Sequence, residues 1–259
     1  MTTTTDNAQA SGLVSAEMLR SYQEEGFFIL PGVVSGDELE LLRSGAQASI
    51  DEVDARMDAE GVDVVGINVR GRRYFGTWRY REMPQLRSFV FGDTMAQICR
   101  AVLGEEAYLF WEQYVIKGAD PESSFAWHQD SGYVHEDAPA YLTVWIALDD
   151  VTEQNGSVYL LPFSRSGIRS YVKHIVAEGT NDKVCYFGSD PGDPVVVPAG
   201  SLVCFSSMLF HRSGPNLTDQ LRRVYLLQYS DRVITEQDGE TPAGSFEQFL
   251  HLGDVVAER

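Results

Sequence analysis

The chain is short of positive charge. Its 20 lysines and arginines stand against 38 aspartates and glutamates, a net charge of −18 over 259 residues. Such a surplus repels phosphate backbones and anionic lipid surfaces, so neither nucleic acid nor membrane is an expected partner. Cysteine is scarce as well. Cys99, Cys185 and Cys204 are an odd number without metal-ligand spacing, which argues against a disulfide framework and reads as packing thiols in a reduced, cytoplasmic protein. No stretch approaches the ~20 apolar residues of a membrane span, and MTTTTDNAQASG at the N-terminus has neither the basic start nor the apolar run of a signal peptide. Internal repeats and interior linkers are also lacking, so no second domain is expected. Apolar sequence is plentiful: 44% of residues belong to the hydrophobic set, enough for one core with helical additions.

The texture changes along the chain. Residues 1–14 are small and polar and read as a flexible tail. Ser15 suits the N-cap of a helix through AEMLRSYQEEG, with Glu17 where the helix dipole favours an acid. FFIL at 27–30 reads as a strand stopped by Pro31-Gly32, and apolar residues recur at helical spacing from near Ser35 to Glu60. The run GINVRGRRYFGTWRYREMP is glycine-rich, basic and aromatic. It reads as a loop that either offsets the surrounding acids or faces a substrate. Residues 85–102 look like one helix closed by Gly104.

From residue 108 short segments rich in aromatic and β-branched residues alternate with turn signals such as Asn155-Gly156, Pro191-Gly192 and Pro198-Ala199-Gly200. With a strand near His128 they number about eight, as in a double-sheet jelly roll. The expected fold is mainly β with flanking helices, a double-stranded β-helix of the cupin-like jelly-roll kind. One domain spans 15–259: a helical part at 15–107, a jelly-roll core at 108–230 and a C-terminal extension at 231–259. In that extension 235–244 reads as a polar loop and 245–252 as a short closing helix.

His128, Asp130 and His211 carry the chemistry. Alternate residues of an extended segment share a face, so His128 and Asp130 point together while Gln129 points away. His211 follows the apolar run LVCFSSMLF, and strands distant in sequence become neighbours in a Greek key. Two imidazoles and one carboxylate are the ligand set of mononuclear non-haem iron(II), with the opposite side open. Taken alone, the triad also admits zinc, manganese or no metal. Arg222 opens the strand RRVYLLQYS, where a planar bidentate donor would suit a buried carboxylate, and Ser213 lies two positions after His211. Lys117 shares the expected strand side with Gln113, and either meets a carboxylate or stays in water at a sheet edge.

WHQDSGYVHEDAPAYLTVWIALDDVTEQNGSVYLLPFS, followed by HRSGPNLTDQLRRVYLLQYS, resembles the phytanoyl-CoA dioxygenase family of iron(II)- and 2-oxoglutarate-dependent oxygenases, in its bacterial natural-product tailoring branch. The resemblance is strongest over 110–230 and extends loosely to GFFILPGVVS. It implies His128, Asp130 and His211 on iron, Arg222 and Ser213 on the far carboxylate of the cosubstrate 2-oxoglutarate, and Gln113 and Trp145 beside it. It also implies consumption of O2, release of succinate and CO2, and hydroxylation of an unactivated C–H bond in a small or medium organic molecule, a secondary metabolite such as an antibiotic precursor. Epimerisation, cyclisation and desaturation share the same first step. Retention of Asp130 favours hydroxylation over halogenation, because halogenating relatives replace this ligand with a small residue. Where relatives often have Pro-Gly-Ser-His, this chain has Pro162-Phe163-Ser164-Arg165, which puts the transfer of any relative's substrate in doubt. Tyr74, Phe75, Trp78 and Arg79 are candidates for a lid and Tyr133 for the pocket border. A carrier- or CoA-linked substrate is not favoured by the acidic surface, although the arginines of 70–81 offer a local docking patch. The competing readings are a zinc or manganese cupin-like hydrolase or isomerase, and a ligand-binding barrel without turnover.

Overall fold

A computed structural model of the protein describes residues 12–176 and 182–258; most of the expected flexible tail, residues 1–11, lies outside the described residues. Leu13 and Val14 were expected in that tail, yet they pack against the core, and the Leu13 N–H donates to the Gln97 side chain. Helix α1 (Ala16–Glu25) starts as its sequence suggests. Ser15 is extended and its hydroxyl accepts the Met18 N–H at 3.1 Å, while Gly26 closes the helix at φ 91°. Strand β1 (Phe27–Leu30) and helix α2 (Gly36–Glu60) follow, and α2 buries Leu42, Ala46, Ile50 and Met57.

The glycine-rich basic run is not a loop. After β2 (Val64–Val65) it forms β3 (Asn68–Val69) and β4 (Arg73–Thr77), and β4 pairs along its length with residues 113–117. Gly76 permits this: a Cβ there would lie 2.2 Å from Ser49 Oγ on α2. The single helix expected over 85–102 is two, α3 (Pro84–Val90) and α4 (Asp93–Val102). Extended backbone at Gly92, ψ 174°, separates them, and a side chain there would meet the Ser88 carbonyl.

The remaining strands are β5 (Ala107–Lys117), β6 (Phe125–His128), β7 (Leu142–Ala147), β8 (Val158–Leu161), the pair β9 (Ile175–Val176) and β10 (Lys183–Val184), β11 (Asp193–Pro194), β12 (Leu202–Ser206), β13 (Phe210–Ser213) and β14 (Arg222–Ser230). Eight of them form the jelly roll, β12-β7-β14-β5 in a large sheet facing β11-β8-β13-β6 in a small one. The large sheet is extended by β1 beside β12 and by β4, β3 and β2 beyond β5. The run SLVCFSSML is therefore one strand, β12, followed by a turn at 207–209 that carries the chain from one sheet to β13 in the other. The closing helix expected at 245–252 is instead β15 (Glu247–His251), which pairs with β5 and with β16 (Asp254–Val255).

Side-chain alternation on the large sheet makes two cores. Val144, Ile146, Tyr225, Leu227 and Tyr229 face the helices, whereas Trp145, Ala147, Val224 and Leu226 face the small sheet. Thr143, Arg222 and Gln228 share the parity of the second set. No helix among the described residues is long and apolar enough to cross a membrane.

Candidate active site

Between the sheets lies a cavity of about 850 Å³. His128, at the end of β6, and His211, on β13, are direct partners in the small sheet, their ring centroids 4.1 Å apart. The strand stops at His128, and Asp130 opens a 3-10 turn (Asp130–Tyr133). The extended backbone of Gln129 still brings Asp130 to the cavity beside His128. Gln129 itself points away, as expected, and its buried amide ties the segment at 170–172 to Met208. His128 Nδ1 lies 2.7 Å from the Ala126 carbonyl and His211 Nδ1 lies 3.1 Å from the Leu209 carbonyl. A carbonyl only accepts, so Nδ1 carries the proton in both rings and each Nε2 is left for a metal.

Burial, then the neighbouring His211, pulls the His128 pKa down to about 3 and keeps the ring neutral. For Asp130 burial opposes the charge, but His211, His128 and Thr143 outweigh it and hold the carboxyl at about 2. Burial likewise opposes protonation of His211, and the Asp130 carboxylate reverses that direction. The two Asp130 oxygens are divided: Oδ2 accepts from Thr143 Oγ1 at 2.6 Å and Gln228 Nε2 at 3.0 Å, while Oδ1 lies 3.5 Å from His211 Nε2. The ligand atoms of the three residues all lie within 4.8 Å of one another. Two neutral nitrogen donors and one anionic oxygen on one wall fit iron(II) with its remaining positions open to the cavity.

Arg222, Ser213, Gln113 and Trp145 line the same cavity. Arg222 is 2% exposed and its Nε has no hydrogen-bond partner among the described residues. Burial pulls its pKa down to about 10 against the opposing charge of Asp149. Leaving a buried guanidinium donor unmet costs on the order of a few kcal/mol, which an incoming carboxylate removes. Its guanidinium carbon is 5.8 Å from the centre of the Trp145 ring. Gln113 Oε1 accepts from Trp111 Nε1 at 3.3 Å, leaving its NH2 to donate. Two donors, Ser213 and Gln113, beside one buried cation suit the far carboxylate of a 2-oxo diacid.

Phe75 and Tyr133 also line the cavity, but Tyr74, Trp78 and Arg79 do not. On β4 alternate residues part company. Arg73 and Phe75 face the cavity, while Tyr74 turns to α2 and donates to Asp54 at 2.9 Å. Trp78 packs edge-on against Trp111, and Arg79 is buried in ion pairs with Glu52 and Glu82. Of the five arginines of 70–81, Arg70 also pairs with Asp54, Asp58 and Asp63, whereas Arg72, Arg73 and Arg81 have no ion pair among the described residues. Arg73, Arg212, Phe110, Trp111, Tyr141 and Gln228 were not anticipated as lining residues. Parity on β5 gives Trp111 once Gln113 is chosen, but a bulge opposite Gln228 and Tyr229 brings Phe110 in too. Lys117 is not at an edge: it is fully buried between β4 and β14.

A jelly roll with this donor triad and a buried arginine in the same cavity defines a non-haem iron, 2-oxo-acid-dependent oxygenase. The phytanoyl-CoA dioxygenase (PhyH) family pattern matches residues 22–224, and the chain belongs to that family. It is an iron(II)- and 2-oxoglutarate-dependent dioxygenase. Phytanoyl-CoA dioxygenase domain-containing protein 1 of Bos taurus is 24% identical over 86% of this chain and 92% of its own length. A probable alpha-ketoglutarate-dependent hypophosphite dioxygenase of Stutzerimonas stutzeri is 26% identical over 83% and 78%. Among solved structures, EvdO2 of Micromonospora carbonacea var. aurantiaca, complexed with 2-oxoglutarate, superposes with a TM-score of 0.67 at 22% identity, covering 90% of this chain and 96% of that one. The carbocyclase SnoK from nogalamycin biosynthesis gives 0.65 at 23%, over 90% and 93%.

Proposed function

We propose that the enzyme hydroxylates an unactivated C–H bond of a free small or medium organic molecule, a secondary metabolite. In this reading His128, Asp130 and His211 hold iron(II), and Arg222 and Ser213 take the distal carboxylate of 2-oxoglutarate. Bound iron, with dioxygen and cosubstrate, supplies hydrogen abstraction, while 2-oxoglutarate leaves as succinate and carbon dioxide. The protein orients and excludes water. Thr143 and Gln228 hold Asp130 by one oxygen, the histidine Nδ1 protons are fixed on carbonyls, and Trp145 and Phe205 wall the site. The observation that carries the reading is the buried Arg222, whose Nε has no hydrogen-bond partner among the described residues, in the same cavity as the triad.

Aromatic walls from Phe110, Trp111, Phe125 and Tyr141 favour an apolar substrate body, and Gln113 and Arg212 offer polar handles. The net charge of −18 speaks against a substrate tethered to an acidic carrier. Residues 15–259 act as one unit in this reading, and the three buried free thiols suit a reducing cytoplasm. Cyclisation or epimerisation is the second reading, favoured by the likeness to SnoK and to the epimerase SnoN, the latter at TM-score 0.62 and 19% identity.

Anaerobic titration of metal-free protein with iron(II) and then 2-oxoglutarate tests the assignment. The visible charge-transfer absorption of an iron-bound 2-oxo acid is expected in wild type, lost in His211→Ala and weakened in Arg222→Ala. Iron and 2-oxoglutarate bound without that absorption would sink it. Once a substrate is found, transfer of label from 18O2 to product separates hydroxylation from cyclisation or epimerisation.

A further inference from the structure

Lys117 is a lysine with no exposed surface in the middle of the large sheet, directly opposite Arg73 on one side and Arg222 on the other. Three cations in a row across adjacent strands repel one another, and desolvating the middle one adds to the cost. Local packing does not require a charge there. What the ammonium does is specific: Nζ donates to the Ser123 carbonyl at 2.7 Å, the Gly214 carbonyl at 2.7 Å and Ser213 Oγ at 2.9 Å, and sits 4.6 Å from the centre of the Phe125 ring. Burial, then the charges of Arg222 and Arg73, pull the Lys117 pKa down to about 6. The three acceptors use all three protons of the ammonium, the form that a bound carboxylate favours, whereas a neutral amine has only two to give.

The consequence falls on Ser213. Its hydroxyl has one proton and two acceptor positions, and Lys117 takes one of those positions. Ser213 is 8% exposed and lines the cavity together with Arg222. No hydrogen bond from the Ser213 hydroxyl to another protein group is present among the described residues, so its proton is left for the cavity. We infer that Lys117 is a positioning residue of the cosubstrate end, fixing the Ser213 hydroxyl as a donor to the distal carboxylate of 2-oxoglutarate. The same ammonium joins the Ser123 loop before β6 to the end of β13, so the donor is held between two strands that also carry the iron-site histidines. This inference rests on the reading of the cavity as a 2-oxoglutarate site.

The test compares two 2-oxo acids on the anaerobic iron(II) form of the full chain: 2-oxoglutarate, and pyruvate, which chelates alike but lacks the distal carboxylate. Dissociation constants are read from the charge-transfer absorption for wild type, Lys117→Met, Ser213→Ala and the double variant. Both single variants are expected to weaken 2-oxoglutarate about tenfold and to leave pyruvate within about twofold, with the double variant no weaker than the worse single one. Lys117→Gln, which keeps two donors without the charge, makes the same comparison where Met at this site does not fold. Wild-type affinity for 2-oxoglutarate in the lysine variants would overturn the inference. So would an equal loss for both acids, the mark of a merely structural lysine, or full additivity with Ser213→Ala. A wild-type protein that binds iron but neither acid would overturn the cosubstrate site itself, an outcome distinct from these three.

Discussion

Asp130 can present one oxygen to a metal because the other is already held by Thr143 on β7 and Gln228 on β14, both distant in sequence from the turn that carries it. Gln228→Leu frees the carboxylate to rotate and is expected to weaken iron(II) affinity by about tenfold to a hundredfold, measured by anaerobic competition with a chelating dye. Unchanged affinity would mean that Thr143 alone orients it. On the opposite face of β5, Glu112 is buried against α2 and the Trp78–Arg79 corner. Burial raises its carboxyl from the ordinary 4.5 to about 7, although Tyr225 and the N–H groups of Arg79 and Trp78 oppose the shift. The folded state thus keeps a proton that the unfolded chain releases between these values. That stability is complete below pH 4.5 and is lost as pH rises through about 7, worth up to about 3 kcal/mol. Glu112→Gln is expected to lose less urea stability than wild type between pH 5 and pH 8; equal losses would refute the shift. Tyr114 and Tyr225, which face this carboxyl, are pushed well above the ordinary tyrosine range by burial and do not change charge in that window. The metal triad was legible from spacing because same-face alternation is a local property. Glu112 and Lys117 were not, since their burial depends on which strands flank β5 and which carbonyls converge there.

Helix α2 packs on the large sheet through Gly45, and a Cβ there would lie 2.2 Å from the Tyr114 hydroxyl oxygen and 2.9 Å from its ring carbon. Tyr114 is fully buried and stacked on Tyr225, with centroids 4.3 Å apart, so it has nowhere to move. Glycine to alanine in an exposed helix gains about 1 kcal/mol, but forcing a methyl into a filled core costs roughly 1–3. Gly45→Ala is therefore expected to lower the melting temperature; a rise would mean that α2 rides further from the sheet. Elements with a long clear period, such as α1, α2, β5 and β14, were readable from the chain. Those that were misread share a cause, namely that tertiary pairing decided them. Gly76 stands in β4 because α2 passes close over it, while Gly66 and Gly71 take positive φ in the turns before it, so the composition imitates a loop. β15 is a strand because the β5 edge offers it partners. The division of β12 from β13 depends on a turn made of Ser207 and Met208, residues that carry no turn signature. Gly92 splits α3 from α4 although a glycine inside a helical pattern is often tolerated.

Across the whole molecule, the site draws on both sheets. His128, His211 and Ser213 stand on the small sheet, and Arg222, Gln113 and Trp145 on the large one. A ligand reaching from the triad to Arg222 is thus a cross-link between the two halves of the jelly roll, and it brings negative charge to Arg222 and Lys117, which have no ion pair among the described residues. A ligand that binds only the folded state at a hundredfold excess over its dissociation constant adds about 2.7 kcal/mol. At about 2–4 °C per kcal/mol for a chain of this size, that is a rise of roughly 5–10 °C. The expected pattern under anaerobic conditions has two steps: a first rise in melting temperature with iron(II), and a second when 2-oxoglutarate is added. Arg222→Ala is expected to keep the first step and lose most of the second, because the chelating end of 2-oxoglutarate then binds without reaching the large sheet. Ionic strength separates this from a general charge effect. Salt screens the −18 net charge and stabilises wild type and variant alike, whereas the second step depends on one guanidinium. A second step of equal size in both proteins would place the distal carboxylate on some group other than Arg222.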